Sequence, residues 1–203
     1  AGLWELGTYE QYTSSKLGCW VALDRAVRLA ETEQLASPHV ARWRSEREQI
    51  RAWINEHCWS ETKRAYTFYA GSDELDVAVL LAARTGFCAP DDPRLSTTID
   101  AIRTELAVDE SLVYRYSGQK DQEGAFLACS CWLVEALVHT GRIDEAETVL
   151  TSFVQRANDV GLFSEEMDPP SGELRGNFPQ ALTHLAVIGA ACALTSAREQ
   201  RAT

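Results

Sequence analysis

Apolar positions along the chain recur with helical spacing in seven segments, and the segments alternate between two kinds. The first, third, fifth and seventh are apolar on most faces, as in Leu17-Gly-Cys-Trp-Val-Ala-Leu23, Val77-Ala-Val-Leu-Leu81 and Leu127-Ala-Cys-Ser-Cys-Trp132. The second, fourth and sixth carry one apolar stripe and a charged back. In the second, Val40, Trp43, Ile50, Trp53 and Ile54 form the stripe, while Arg42, Arg44, Glu46, Arg47 and Glu48 cover the other side. Cap and breaker residues set the expected bounds. Ser14 and Ser15 cap a first helix over 16–33. Ser37-Pro38 opens a second over 38–57. The third is expected over 73–85, stopped by Gly86. The fourth follows Pro93 and runs to 106; the fifth covers 125–140 and ends at Gly141. The sixth continues to 158, and the seventh spans 179–196.

The connections alternate too. Those within a helix pair are short. Those before each apolar helix are long, aromatic and charged, at 1–13, 58–72 (a connection or a short hairpin), 111–124 and 161–178. Pairs begin near residues 14, 73, 125 and 179, a loose repeat of about 50 to 60 residues. Helices joined by short links run antiparallel, which puts all four long loops at one end. The economical architecture is all-α: a double ring with apolar helices inside and amphipathic helices outside, an α/α toroid formed by residues 1–203 as a single domain. A closed (α/α)6 ring needs about five more helices. The toroid is therefore expected to be incomplete in this chain, with the missing helices upstream of the abrupt apolar start Gly2-Leu-Trp-Glu-Leu6.

Composition narrows the function. A net charge of -11 argues against a nucleic-acid partner, whose phosphates need a basic face. No membrane partner is expected, because neither a signal-like N-terminus nor a long apolar span stands out. The six cysteines form no Cys-x-x-Cys pair, and several lie in apolar helical runs. A reducing, cytoplasmic location follows as the expectation. His39, His57, His139 and His184 each stand alone, and no Gly-rich phosphate loop or Ser-His-Asp set occurs. The chain therefore calls for no metal and no cofactor, and any catalysis rests on carboxylates.

The long loops share one vocabulary. They carry Leu3-Trp4-Glu5; Trp59, Tyr66, Phe68 and Tyr69; Tyr114-Arg115-Tyr116 with Lys120, Asp121 and Glu123; and Glu165, Glu166, Asp168 and Arg175. Aromatic faces stack on a pyranose, and charged groups take its hydroxyls. Two carboxylates across a glycosidic bond suffice for its hydrolysis: one protonates the leaving oxygen and the other activates water. The aromatics from Tyr66 to Tyr69 read as packing rather than as a platform.

Six motifs, in order, resemble the glucoamylase-like glycoside hydrolases of family 15. They are Gly2-Leu-Trp-Glu5, Tyr12-Thr-Ser-Ser-Lys16 with Trp20-Val-Ala-Leu-Asp-Arg-Ala26, Tyr114-Arg-Tyr116, Glu123-Gly-Ala-Phe126, Gly161-Leu-Phe-Ser-Glu-Glu166 and Gly176-Asn-Phe-Pro-Gln-Ala181. The similarity spans nearly the whole chain and corresponds to the C-terminal part of that family's catalytic domain. The resemblance implies an (α/α)6 barrel and inverting hydrolysis of α-glucosidic bonds in a small-molecule or oligosaccharide α-glucoside. Maltooligosaccharides, isomaltose-type glucosides and trehalose all fit. It implies that Glu5 is the general acid and Glu165 the general base. It also implies that Arg115 holds sugar hydroxyls and Trp4 forms a pocket wall, with Tyr116, Asp121, Glu123 and Glu166 as further substrate-binding candidates. Some members have a second acid after the general acid, where this chain has Leu6. The family's upstream Arg-Asp pair and a further pocket tryptophan have no counterpart here.

Two other classes fit parts of the pattern. Terpene cyclases are also helical toroids, but they need an acidic motif on a helix, and Asp91-Asp92 lies between prolines. A non-catalytic carbohydrate-binding or vestigial toroid fragment fits the incomplete ring.

Overall fold

The computed structural model describes residues 2–120 and 122–202, with the backbone alone for Ala202. Seven α-helices follow one another among the described residues: α1 (Thr13–Glu31), α2 (Val40–His57), α3 (Leu81–Thr85), α4 (Pro93–Leu106), α5 (Leu127–His139), α6 (Ile143–Val154) and α7 (Ala181–Ala202). A 3-10 turn, Val77–Leu80, leads into α3. α1 packs on this turn and on α3, α3 on α5, and α5 on α7. Outside them, α2 lies against α1, α4 against the 3-10 turn and α5, and α6 against α5 and α7. The apolar helices thus form an inner arc and the amphipathic ones an outer arc, which is the α/α toroid in part.

Burial follows position in the arc. α5 has neighbours on both sides, and every residue from Leu127 to Leu137 is buried. α7 lies at one edge. It buries Thr183, Ala186, Ala190 and Leu194, yet leaves Leu182, Leu185 and Ile188 exposed by 45%, 67% and 59%. By length and composition, Ala181–Arg201 is apolar enough to cross a membrane, which corrects the expectation that no such span occurs. Its alanines raise its hydropathy while letting it pack closely on α5.

Ser14 and Ser15 lie inside α1, which starts at Thr13, instead of capping it, and α7 runs to Ala202, past the expected 196. The third and sixth helices depart from expectation for local reasons. The third helix does not begin at 73. Residues 74–76 are extended, with Phe68 N–H donating to Glu74 O at 2.7 Å, Ser117 N–H to Leu75 O at 3.0 Å and Val77 N–H to Arg115 O at 2.9 Å. The cap is Asp76, whose Oδ1 accepts from Ala78 N–H at 2.8 Å. The sixth helix stops at Val154, because Asn158 Oδ1 accepts from Leu162 N–H at 2.8 Å and closes a turn. Gly86 ends α3 as expected, with φ +79°.

Two small sheets organise the loop end. The aromatic connection is a hairpin of β1 (Trp59–Ser60) and β2 (Ala65–Tyr66). A three-stranded antiparallel sheet not expected from the sequence joins β3 (Ala125–Phe126), β4 (Glu166–Met167) and β5 (Leu174–Arg175) in that order. Phe126 faces Glu166 in its register, and Glu166 faces Arg175. Thr13 N–H donates to Phe68 O at 2.9 Å, and Leu127 N–H to Glu165 O at 3.0 Å. All four long loops therefore meet in one layer over the inner helices.

Candidate active site

The loop layer holds a cavity of about 330 Å³ lined by Leu3, Trp4, Glu5, Arg115, Phe126, Trp132, Glu165 and Gln180, among others. Glu5 and Glu165, 160 positions apart in the sequence, thus share one cavity. Its size falls in the range of small-ligand clefts, and its lining pairs aromatic walls with few charged groups. A larger apolar cavity of about 500 Å³ lies beside α1 under Leu17, Val21 and Ala78, and none of its lining residues is titratable.

Glu5 follows a tight turn in which its N–H donates to Gly2 O at 3.1 Å. Its φ of +53° is a left-handed conformation uncommon for a residue with a side chain. Such backbone strain clusters at functional sites, where the surroundings over-determine it. The Trp4 ring supplies that anchorage. It packs edge-on against Phe126 at 5.3 Å and tilted against Trp132 at 6.1 Å between centroids. Its indole Nε1–H donates to Asp76 Oδ1 at 3.0 Å.

Glu165 enters from the long loop before α7. Its Oε2 accepts from Asn177 N–H at 3.0 Å and from Asn177 Nδ2 at 2.8 Å. Gly176, at φ +72°, lies against it: a Cβ there would stand 2.8 Å from both Glu165 Cβ and Oε2. Only glycine fits that place. The Gly176-Asn-Phe-Pro-Gln180 run therefore shapes the carboxylate's seat, and it brings Gln180 into the cavity lining.

Arg115 lies between the walls. Its guanidinium sits 5.3 Å from the Trp4 ring centre and 5.6 Å from that of Phe126. Its Nε donates to Glu123 Oε2 at 2.6 Å, and Nη2 donates to the same oxygen. Glu123 thus acts on the cavity through Arg115 and is absent from its lining. Glu166 is set back as well. It is half-buried, and its Oε2 accepts from Gly124 N–H at 3.3 Å. Burial, with the nearby Glu123 carboxylate, pushes its carboxyl above the usual range against the pull of Gly124 N–H and Arg115. Tyr116 is absent from the lining; it is 7% exposed, stacked on Phe68 at 4.9 Å, with the Trp4 ring at 6.4 Å and the Arg115 guanidinium 5.5 Å from its ring centre. Tyr66 is buried, and its hydroxyl donates to Asn55 Oδ1 at 2.8 Å, in keeping with a packing role. Asp121 lies outside the described residues.

Sequence reasoning missed two contributors. Trp132 reads as one more apolar residue of an apolar helix, yet it walls the cavity. Asp76 reads as a residue inside the third helix. It is fully buried, and burial pushes its carboxyl up to about 7 against the pull of Ala78 N–H, the Trp4 indole and Arg115.

A family model described as glycosyl hydrolases family 15 matches residues 1–192. The chain belongs to that family. It is 41% identical to a trehalase of Mycobacterium tuberculosis over 98% of its own length and 30% of that protein's. It is 37% identical to a trehalase of Thermoplasma volcanium, over 99% of this chain and 33% of that protein. The chain thus spans about a third of the length of the curated relatives it matches. A bacterial glucoamylase crystallised with acarbose shares the fold, with a TM-score of 0.81 at 16% identity over 96% of this chain and 35% of that one. Family 15 membership and the toroid agree with the motifs along the chain.

Proposed function

We propose that this chain supplies the acid and the base of an inverting α-glucoside hydrolase whose substrate is trehalose. The observation that carries the reading is the shared cavity of Glu5 and Glu165, walled by Trp4, Phe126 and Trp132 with Arg115 between them. The similarity to trehalases at 37–41% identity, against 16% for the glucoamylase, favours trehalose over the other α-glucosides.

In this mechanism the aromatic walls take one glucose ring, and the Arg115 N–H groups turned from Glu123 take its hydroxyls. Glu5 gives its proton to the bridging oxygen as the C1–O bond breaks. Glu165, aimed by its two bonds from Asn177, removes a proton from water as that water adds to C1 from the opposite face. One water is consumed and two glucose molecules leave. The glucose attacked at C1 departs as the β anomer, and its partner keeps the α configuration.

The test uses the protein that carries this chain. Glu5→Gln should remove most turnover on trehalose and much less on α-glucosyl fluoride, whose leaving group needs no proton. Glu165→Gln should impair both. Early proton NMR of trehalose digests should show α- and β-glucose in equal amounts. Only α-glucose would refute inversion, and loss in Glu166→Gln with normal turnover in Glu165→Gln would refute the choice of base.

A binding role without catalysis has one observation in its favour: Leu182, a lining residue of the cavity, is 45% exposed, so the cavity is open at the α7 edge. Calorimetric titration with trehalose beside a turnover assay separates the two readings, since heat of binding without glucose release supports the second.

A further inference from the structure

Among the described residues, Asp76 is the one fully buried carboxylate in contact with the loop layer, and its geometry is specific. Its Oδ1 accepts two hydrogen bonds, from Trp4 Nε1–H at 3.0 Å and from Ala78 N–H at 2.8 Å. Its Oδ2 is buried and faces no hydrogen-bonding group among the described residues. Its backbone pairs with Tyr116, and the next residue, Val77, donates to Arg115 O at 2.9 Å. One residue thus ties three segments together: the Trp4-Glu5 turn, the cap of the 3-10 turn, and the 115–117 segment that bears Arg115. Packing could seat the Trp4 ring face against Phe126 and Trp132, but rotation within that face is fixed only by a directional bond. The Nε1–H to Oδ1 bond supplies it, and Glu5 is the next residue along.

We propose that Asp76 is a positioning residue for the general acid: by fixing the Trp4 indole, it holds the strained Glu5 turn in the orientation that delivers a proton to the bridging oxygen. This deepens the preceding mechanism and rests on the assignment of Glu5 as the acid. The cap bond alone could be satisfied by many side chains, since Ser, Thr and Asn cap equally well. Reaching Trp4 Nε1 while capping Ala78 requires an acceptor of aspartate's length. Asparagine has that length and its Oδ1; serine caps but falls short.

The experiment compares Asp76→Ser, Asp76→Asn and Trp4→Phe in the protein that carries this chain, with trehalose and α-glucosyl fluoride as substrates. Misplacing the acid should cost roughly 10- to 100-fold in kcat on trehalose for Asp76→Ser, within the range that acid catalysis contributes. The fluoride, which needs no acid, should change by no more than about threefold. Asp76→Asn should restore trehalose turnover to within about threefold of wild type. Trp4→Phe keeps a ring but loses the donor; because Trp4 also walls the sugar site, only its trehalose loss is read, and combining it with Asp76→Ser should add little. If Asp76→Ser fails to fold, Asp76→Thr, which also caps but falls short of Trp4, takes its place. Equal losses on both substrates in that Asp76 variant, or Asp76→Asn as poor as Asp76→Ser, would overturn the proposal. Glu5→Gln is run in parallel. If it loses trehalose turnover while Asp76→Ser and Trp4→Phe do not, the positioning role alone falls. If Glu5→Gln keeps wild-type turnover, the acid assignment falls and takes this role with it.

Discussion

Gly176→Ala is the sharpest probe of the proposed base. The glycine holds φ +72°, where a residue with a side chain costs about 1–2 kcal/mol. The added Cβ would also stand 2.8 Å from Glu165 Cβ and from Oε2. Carbon atoms rest at about 3.5–4.0 Å, so the two residues must separate by roughly 0.7–1.2 Å. A displacement near 1 Å of a catalytic group costs about 100-fold in rate, or close to 2.7 kcal/mol. Gly172→Ala is the control: the same φ of +72°, but nothing within 4 Å of a new Cβ. Both variants should lose a few degrees in Tm, since each kcal/mol moves Tm by about 2–4 °C at this size. Only Gly176→Ala should lose kcat, and on trehalose and α-glucosyl fluoride alike, because both need the base. Steady-state kinetics and thermal melts on the two variants decide it. Wild-type kcat in Gly176→Ala, or an equal fall in Gly172→Ala, would refute the seat that Gly176 is held to provide for Glu165.

Three further outcomes follow from other contacts. A Cβ at Gly189 would stand 2.6 Å from Glu135 Oε1, so Gly189→Ala should destabilise by about 1–3 kcal/mol through overpacking between α5 and α7, and Glu135→Ala should relieve it in the double variant; additive losses in denaturant melts would contradict this. Asp76 titrates near 7 when folded against an ordinary 3.8, so between those values the folded chain holds a proton that the unfolded chain releases, and its contribution to stability declines as pH rises through that window. The denaturation midpoint of wild type should therefore fall behind that of Asp76→Asn from pH 4 to 7, and a constant gap would count against the shift. Replacing Leu185 and Ile188 together by serine should raise the soluble fraction of the isolated chain, read by size-exclusion chromatography, because both stand more than half exposed; unchanged aggregation would place the sticky surface elsewhere.

The helices were legible because each long apolar or amphipathic run repeats its signal over several turns. The third was misplaced because Ser72-Asp73 and Asp76 offer equally good caps in the sequence, and pairing with residues 115–117, some forty positions away, decides between them. The β3–β4–β5 sheet has two-residue strands, too short for any periodicity to show. Glu5, Trp4, Arg115 and Glu165 could be picked out by their motifs, and they do line one cavity. Trp132 and Asp76 carry no such local mark. Trp132 differs from its buried neighbours only in which face of α5 it occupies, and Asp76 gains its meaning from an indole 72 positions earlier.

The short sheet turns the choice between two adjacent glutamates into a matter of parity. Glu165 continues the ladder through its backbone bonds with Leu127 and Asn177, and side chains alternate along such a segment, so Glu165 and Glu166 leave the backbone on opposite sides; of the two, Glu165 lines the cavity. A single residue added or removed in the stem before Glu165 would invert that parity and present Ser164 or Glu166 instead, without altering any side chain in the layer. The tip between Asp168 and Glu173 lies beyond the ladder, closed by an N–H bond from Asp168 to Glu173 O at 2.9 Å, and can change length without shifting the count. The spacing from Phe163 to Glu165 therefore acts as a reading frame that sets which of the two carboxylates meets the cavity.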